Sequence, residues 1–409
     1  MARCMLTQTV AIFRDAYREL NAKRLFWLVM AMSGLVFGAF ATFGLTDDGF
    51  TINVLVKKWE LPSSVFNLKL MTLEQYYTMM FMSFGVKIWL AWIASILALI
   101  STASIVPDFL SGGAIELTLS KPIGRFRLFM TKYLSGLLFV MLQVIVFAGS
   151  AFLLIGIRGG SWNWKILLAI PIVTVFFSYI YCISTLFGLL TRSTITSLLL
   201  TALVWFGFFG LGKSENLLMA IEIAAQQRVE LIQQELDSKQ QAIDAVESGE
   251  LTKGATKAIL DRMTLDARKE SLLDRRAELA KQRKTYQSWV RWHNGLYIAK
   301  TILPKTSETV DLLKRQFKGI DDFQNQSVQI QQADQRQDMT TRKTVQSKDD
   351  SQIEHETPSK NVELDDVSVQ REMSKALRER SVWWVMGTSL LFEAVVLLFA
   401  GLIFVRRDF

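Results

Sequence analysis

Residues 133–157 read YLSGLLFVMLQVIVFAGSAFLLIGI, an apolar run without one charged side chain. A helix of that length rises about 37 Å at ~1.5 Å per residue, more than the ~30 Å hydrocarbon core of a bilayer. A helix in a soluble core keeps a polar face, and this one offers no charged face at all. Working outward, further apolar stretches of similar length lie near 25–45, 79–101, 166–190, 194–212 and 382–405. The sequence therefore predicts an all-α polytopic membrane protein with six transmembrane helices. Bulk composition hides this. The 409 residues are 50% hydrophobic, with 27 Phe and 11 Trp, yet residues 214–381 hold almost no long apolar run.

No cleavable signal peptide is expected, because Arg3, Arg14, Asp15, Arg18, Glu19, Lys23 and Arg24 crowd the start with no apolar region before them. Residues 1–24 read instead as an amphipathic interfacial helix, with Leu6, Val10, Phe13, Tyr17 and Leu20 on one side. Cys4 and Cys182 cannot staple the extramembrane region, and His293 and His355 are too sparse for a metal site, so no metal or cofactor is expected. With the N-terminus inside, the inner segments hold Arg3, Arg14, Arg18, Lys23, Arg24, Lys121, Arg125, Arg127, Lys132, Arg192, Arg406 and Arg407. The short outer loops hold only Lys57, Lys58, Lys69, Arg158 and Lys165. The positive-inside rule then places both termini in the cytoplasm of a bacterial cell, with the protein in the inner membrane and the long segment before the last span outside. The net charge of +8 is a topology signal, and no aromatic-interleaved basic stripe points to nucleic acid.

Two motifs imitate an ATPase. Gly207 to Ser214 read GFFGLGKS, a match to the phosphate-loop pattern, and Leu110 to Ala114 read LSGGA, close to the signature of ABC ATPases. A phosphate loop must join a strand to a helix in a soluble parallel sheet, so that backbone N–H groups face the phosphates. Here the motif ends an apolar span, carries Phe208 and Phe209, and follows LSGGA instead of preceding it. No strand ending in a magnesium-holding Asp follows. Both are read as decoys, and Lys213 as a headgroup anchor. No catalytic residue is expected in the chain.

Residues 105–136 read IVPDFLSGGAIELTLSKPIGRFRLFMTKYLSG, a polar, Gly-rich, basic connector on the cytoplasmic side. Pro107 and Asp108 can open a short helix, Ile115, Leu117 and Leu119 give an apolar rib, and Lys121-Pro122 breaks it. This segment resembles the loop of ABC-2-type permeases, which runs acidic residue, Gly-Gly or Gly-Thr, Glu-Leu, then Ser/Lys-Pro-Ile-x-Arg and a later Lys. The matching positions are Asp108, Gly112, Gly113, Glu116, Leu117, Lys121, Pro122, Ile123, Arg125 and Lys132. The terminal Arg406-Arg407-Asp408-Phe409 and the basic N-terminal helix also resemble that family, and the likeness covers roughly 1–212 and 375–409. It implies that loop 102–132 holds a coupling helix seated in a cytoplasmic ABC ATPase subunit, which does the hydrolysis. It further implies a second permease subunit, making a homo- or heterodimer, and outward transport of a substrate the sequence does not identify.

The chain departs from the compact family pattern between spans five and six. Ala225, Val229, Ile232, Leu236, Lys239, Ile243 and Val246 alternate by four and three, a coiled-coil seam. Gly249 and Gly254 bracket a turn, and Leu265, Leu272, Leu279 and Tyr286 recur at sevens. Residues 213–290 are read as an extracytoplasmic helical hairpin whose incomplete second seam invites a partner. Residues 291–317, with Trp292 and Tyr297, form a membrane-proximal segment, and 318–370 a flexible polar tether. Residues 371–409 resume a helix, cross the membrane and end in the cytoplasm. The other functional class is a membrane-anchored coiled-coil scaffold that recruits outer partners without transport. It accounts for the hairpin and leaves the cytoplasmic loop unexplained. Gly34 and Gly38 form a G-x-x-x-G pair suited either to close helix approach or to lipid. Finally, Lys87 and Glu393 lie roughly 12 and 16 Å from the outer surface by ~1.5 Å per residue: either they pair across the transport path, or Lys87 reaches the outer headgroups while Glu393 sits protonated or in a wet cavity.

Overall fold

The computed structural model describes residues 14, 18, 21, 24–47, 49–54, 57–62, 71–111, 124–247, 255–317 and 366–407. Most of the interfacial helix, the tether and the hairpin turn lie outside these residues. The chain divides into two compact units: residues 1–209, 302–353 and 381–409, and residues 210–301 with 354–380.

The first unit opens with α1 (Arg24–Thr42), which packs Phe26 against Phe139 at 5.1 Å between ring centroids. Its apolar part, Phe26–Thr42, is shorter than the other apolar helices because the chain turns into a sheet at Phe43. Strands β1 (Phe43–Thr46), β2 (Gly49–Val54) and β3 (Lys57–Pro62) pair antiparallel in that order. Thr46 faces Gly49 and Val54 faces Lys57, so each link has two residues. The all-α expectation thus holds at the level of the whole chain, with this small sheet as a correction in a segment read as an outer loop. Arg158 ties the sheet to the helices, donating to the carbonyl of Ala41 and to the Tyr77 hydroxyl, while Tyr77 donates to Phe43 O at 2.8 Å.

A capping box at Thr72 and Gln75 starts α2 (Leu73–Met80). The rod continues as α3 (Phe81–Ala94), a π-helix with wider turns, and α4 (Ser95–Thr102). A turn at Ala103–Ser104 leads to the short α5 (Ile105–Ser111). Then come α6 (Arg125–Gly159), which ends on left-handed Gly160, and α7 (Ala169–Thr191), which ends on Arg192 at φ 53°. Helix α8 (Thr194–Glu247) begins in this unit, and α10 (Thr306–Lys314) and α12 (Thr388–Arg406) complete it. Helix α7 is the most enclosed: Phe177, Tyr179, Tyr181 and Cys182 are at most 1% exposed. Among the described residues, five helices are long and apolar enough to cross a membrane, with Phe26–Thr42 as a shorter apolar sixth, which is compatible with a membrane location. Gly34 and Gly38 are exposed, with no neighbouring group against either among the described residues.

In the second unit the later part of α8 packs against α9 (Ala255–Ile302). Ile232, Leu236 and Ile243 share one apolar cluster with Leu272 and Leu279, the residues of the heptad seam. Polar pairs give the register: Gln240 with Arg276, Glu235 with Arg275, Gln233 with Arg283, Glu222 with His293. From Gln240–Arg276 through Gln233–Arg283 to Glu222–His293 one number falls as the other rises, so the helices are antiparallel. Lys239 leaves the seam for Glu235, one turn back on its own helix at 3.1 Å. A third helix, α11 (Asp366–Glu379), joins this unit, with Ser368 donating to Gln227 at 3.1 Å. This contact falls on α8, the first arm of the hairpin. Gly207 to Ser214 lie in the interior of α8, where a phosphate-binding loop has no place.

Candidate functional site

The candidate docking loop is held at both ends by one corner of the first unit. Val106, Phe109, Leu128, Phe129, Leu189, Ala400 and Phe404 form a single apolar cluster there, drawn from α5, α6, α7 and α12. Phe109 stacks on Phe404 at 6.4 Å, and the Lys132 ammonium lies 5.3 Å from the Phe109 ring centre, a cation–π contact. Arg125 donates to the carbonyls of Val405 and Arg407, both at 3.2 Å. Arg407 in turn donates to Leu189 O at 2.6 Å. Each arginine thus satisfies carbonyls that a helix leaves unpaired at its C-terminus, where positive charge is also favoured.

Of the residues carrying the sequence resemblance, Asp108, Arg125 and Lys132 come together at this corner. Asp108 is exposed, whereas Arg125 and Lys132 are spent on contacts within the bundle. Gly112, Gly113, Glu116, Leu117, Lys121, Pro122 and Ile123 lie outside the described residues, as does Ala114, which ends the LSGGA stretch. The capping work of Arg125 was not legible beforehand, because its acceptors lie 280 positions away.

The expected Lys87–Glu393 pair is not made. Lys87 takes Asp311 of α10 at 2.8 Å, both side chains being 46% exposed. Glu393 is instead met by two hydroxyls, Tyr133 at 2.8 Å and Ser178 at 2.7 Å. Counting residues along a span gives depth and says nothing of direction around the helix. Asp311 lies in the segment 291–317 that was read from its Trp and Tyr content as membrane-proximal, so it was not considered as a partner. Tyr133 rests on Tyr181, stacked at 5.1 Å, and this is possible only beside a glycine: a Cβ on Gly136 would come within 2.3 Å of the Tyr181 hydroxyl. On the same stripe of α12, Lys305 donates its backbone N–H to Ser389 at 3.0 Å. Its ammonium meets Thr388 at 2.6 Å and lies 4.3 Å from the Trp384 ring centre.

The second unit holds a different cluster. Glu215 is fully buried and accepts at Oε2 from Lys300 at 2.8 Å and at Oε1 from Arg380, with His293 Nε2 3.2 Å from the same Oε1. His293 Nδ1 also contacts Glu222. Burial by itself would raise the Glu215 carboxyl. Hydrogen bonds and charge from Arg380 and Lys300 outweigh it and hold the group below its ordinary value of 4.5. Single polar residues among apolar ones did not announce the Glu393 cluster, since a lone Ser in a span usually bonds its own helix.

Compared with protein-family models, curated proteins and solved structures, the chain gives no match.

Proposed function

We propose that this chain is the permease subunit of an ATP-binding-cassette exporter. In this reading α1 is the first of six spans, both termini face the cytoplasm of a bacterial cell, and the hairpin of α8 and α9 lies outside. A separate cytoplasmic ATPase docks on loop 102–132, and a second permease subunit completes the transport path. What carries the reading is the Asp-x-x-x-Gly-Gly-x-x-Glu-Leu pattern from Asp108 to Leu117 with Lys121-Pro122-Ile123-x-Arg125 after it. The seating of the loop's ends gives that pattern a mechanical sense. A push on α5 is felt directly by Phe404 of α12 through Phe109, and a pull on Arg125 acts on the carbonyl end of α12. Nucleotide-driven closure of the ATPases would thereby shift several spans together, as alternating access requires.

The test is in vivo photo-crosslinking from Glu116 and Asp108, with Ser248 of the hairpin turn as the outer control. An adduct with an ABC ATPase from the loop positions is the expected result. Loop positions without any such adduct, beside a hairpin position that captures an extracytoplasmic protein, would replace the permease reading with the scaffold.

A further inference from the structure

Glu393 lies inside α12, 8% exposed, in surroundings where an uncompensated carboxylate is costly. Among the described residues no cation stands within ion-pair distance of it. The groups that face it are Tyr133 on α6 and Ser178, Tyr179 and Cys182 on α7, with Tyr181 stacked on Tyr133. Lys305, which precedes α10, points its ammonium to Thr388 and Trp384, about one to three helical turns from Glu393 along the chain.

The two hydroxyls have a property that the partners of a fixed charge lack. Each carries one hydrogen, yet each stands between two acceptors. Tyr133 Oη is 2.8 Å from Glu393 Oε1 and 3.2 Å from the carbonyl of Ser178. Ser178 Oγ is 2.7 Å from Glu393 Oε2 and 2.8 Å from the carbonyl of Val175. When the carboxylate is ionised, both hydrogens turn to it. When it is protonated, its own O–H donates to Ser178 Oγ, and Ser178 donates to Val175 O. Tyr133 then serves the remaining carboxyl oxygen or the Ser178 carbonyl. Every donor is used in both states, and they interconvert by turning two hydroxyls.

A molecular ligand does not fit here. Tyr133 is 3% exposed, Ser178 2% and Cys182 0%, and Gly136 leaves no gap before Tyr181. We propose that Glu393 is a reversible proton-binding site within the helix bundle. On release the O–H bond breaks, the electron pair stays on the carboxylate, and a water molecule reaching the carboxyl takes the proton. On uptake the reverse occurs. Because Tyr133, Ser178 and Glu393 come from three helices, the proton's presence bears directly on how α6, α7 and α12 hold together.

This inference shares with the proposed function only the membrane setting of the bundle. The experiment is an infrared pH titration of the full chain in lipid nanodiscs, following the C=O stretch of protonated carboxyl groups. The wild type should show a band that titrates reversibly, Glu393→Gln should lack it, and Tyr133→Phe should shift its position or midpoint. Identical bands in wild type and Glu393→Gln, or a Glu393 band that never deprotonates while the protein is folded, would overturn the proposal. Should Glu393→Gln fail to fold, Tyr133→Phe decides, and an unchanged band and midpoint in that variant would equally overturn it. Release of the wild-type chain from membranes by carbonate overturns both readings. A titrating band without an ATPase adduct overturns the permease alone.

Discussion

Glu215 in the helical hairpin and Glu393 in the apolar bundle are both withdrawn from solvent, at 0% and 8% exposure, but their surroundings answer the charge differently. Glu215 is met by Lys300, Arg380 and His293, so its ionised form is the one the site is built for. Glu393 is met by hydroxyls that are neutral and can turn. Full cationic compensation fixes a buried acid in one state and makes it a structural tie. Neutral donors with spare acceptors behind them hold the acid in place while leaving its proton free to move. The same residue type thus does fastening work in one unit and is suited to exchange in the other.

The largest effect should come from removing charge at the compensated site. Glu215→Gln strands two buried cations, and breaking such a network by one partner costs about 3–5 kcal/mol. Hydrogen–deuterium exchange should then rise across α9 and α11, whereas Glu393→Gln should leave those helices unchanged. Acid gives the same answer in the wild type. A carboxyl held below its usual value contributes stability that is complete above 4.5 and lost as pH falls through the depressed one. Protection of this unit should therefore decline only under acid below that ordinary value. A decline already under way near neutrality would contradict the assignment.

A middle-sized effect tests whether the Glu393 site is held by packing. Gly136→Ala places a methyl where the Tyr181 hydroxyl now sits, an overpacking that costs about 1–3 kcal/mol. The melting temperature of the bundle should drop, and the infrared band of Glu393 should move, as Tyr133 loses its stacked neighbour. No shift in either would mean that Tyr181 has room to step aside.

The smallest effect separates Lys87 from Glu393. The half-exposed Lys87–Asp311 contact should show a coupling of about 0.6 kcal/mol in a double-mutant cycle of Lys87→Met with Asp311→Asn, the usual size for polar contacts between membrane helices. Lys87→Met and Glu393→Gln should simply add. Coupling between that second pair would restore the partnership expected from sequence alone.

Much of this architecture was legible because it rests on short-range pattern. Apolar runs of span length, and the seam through Ile232, Leu236 and Ile243, declare themselves residue by residue. The sheet at Phe43–Pro62 was not, since FGLT and KKWELP are too short and mixed for a two-residue period to stand out. The cradle of Glu393 was hidden for another reason. Tyr133 and Ser178 acquire meaning only from the angle at which their helices turn toward α12, and depth along a span carries no information about that angle. A helix resuming at 371 was expected, but that α11 (Asp366–Glu379) contacts α8 of the hairpin through Ser368 was not, because continuation into the last span was the simpler reading.

That cradle also sets a timetable. Ser178 precedes Glu393 by 215 residues, and at roughly 5–20 residues per second a ribosome needs on the order of 10–40 s to cover the distance. Throughout that interval α6 and α7 are already made while the acid that joins them to α12 has yet to be synthesised. The nascent protein must pass this period as an unfinished bundle. A stop codon anywhere before the last helix would make the condition permanent, so truncated chains should be recognised and degraded even though most of their spans are intact.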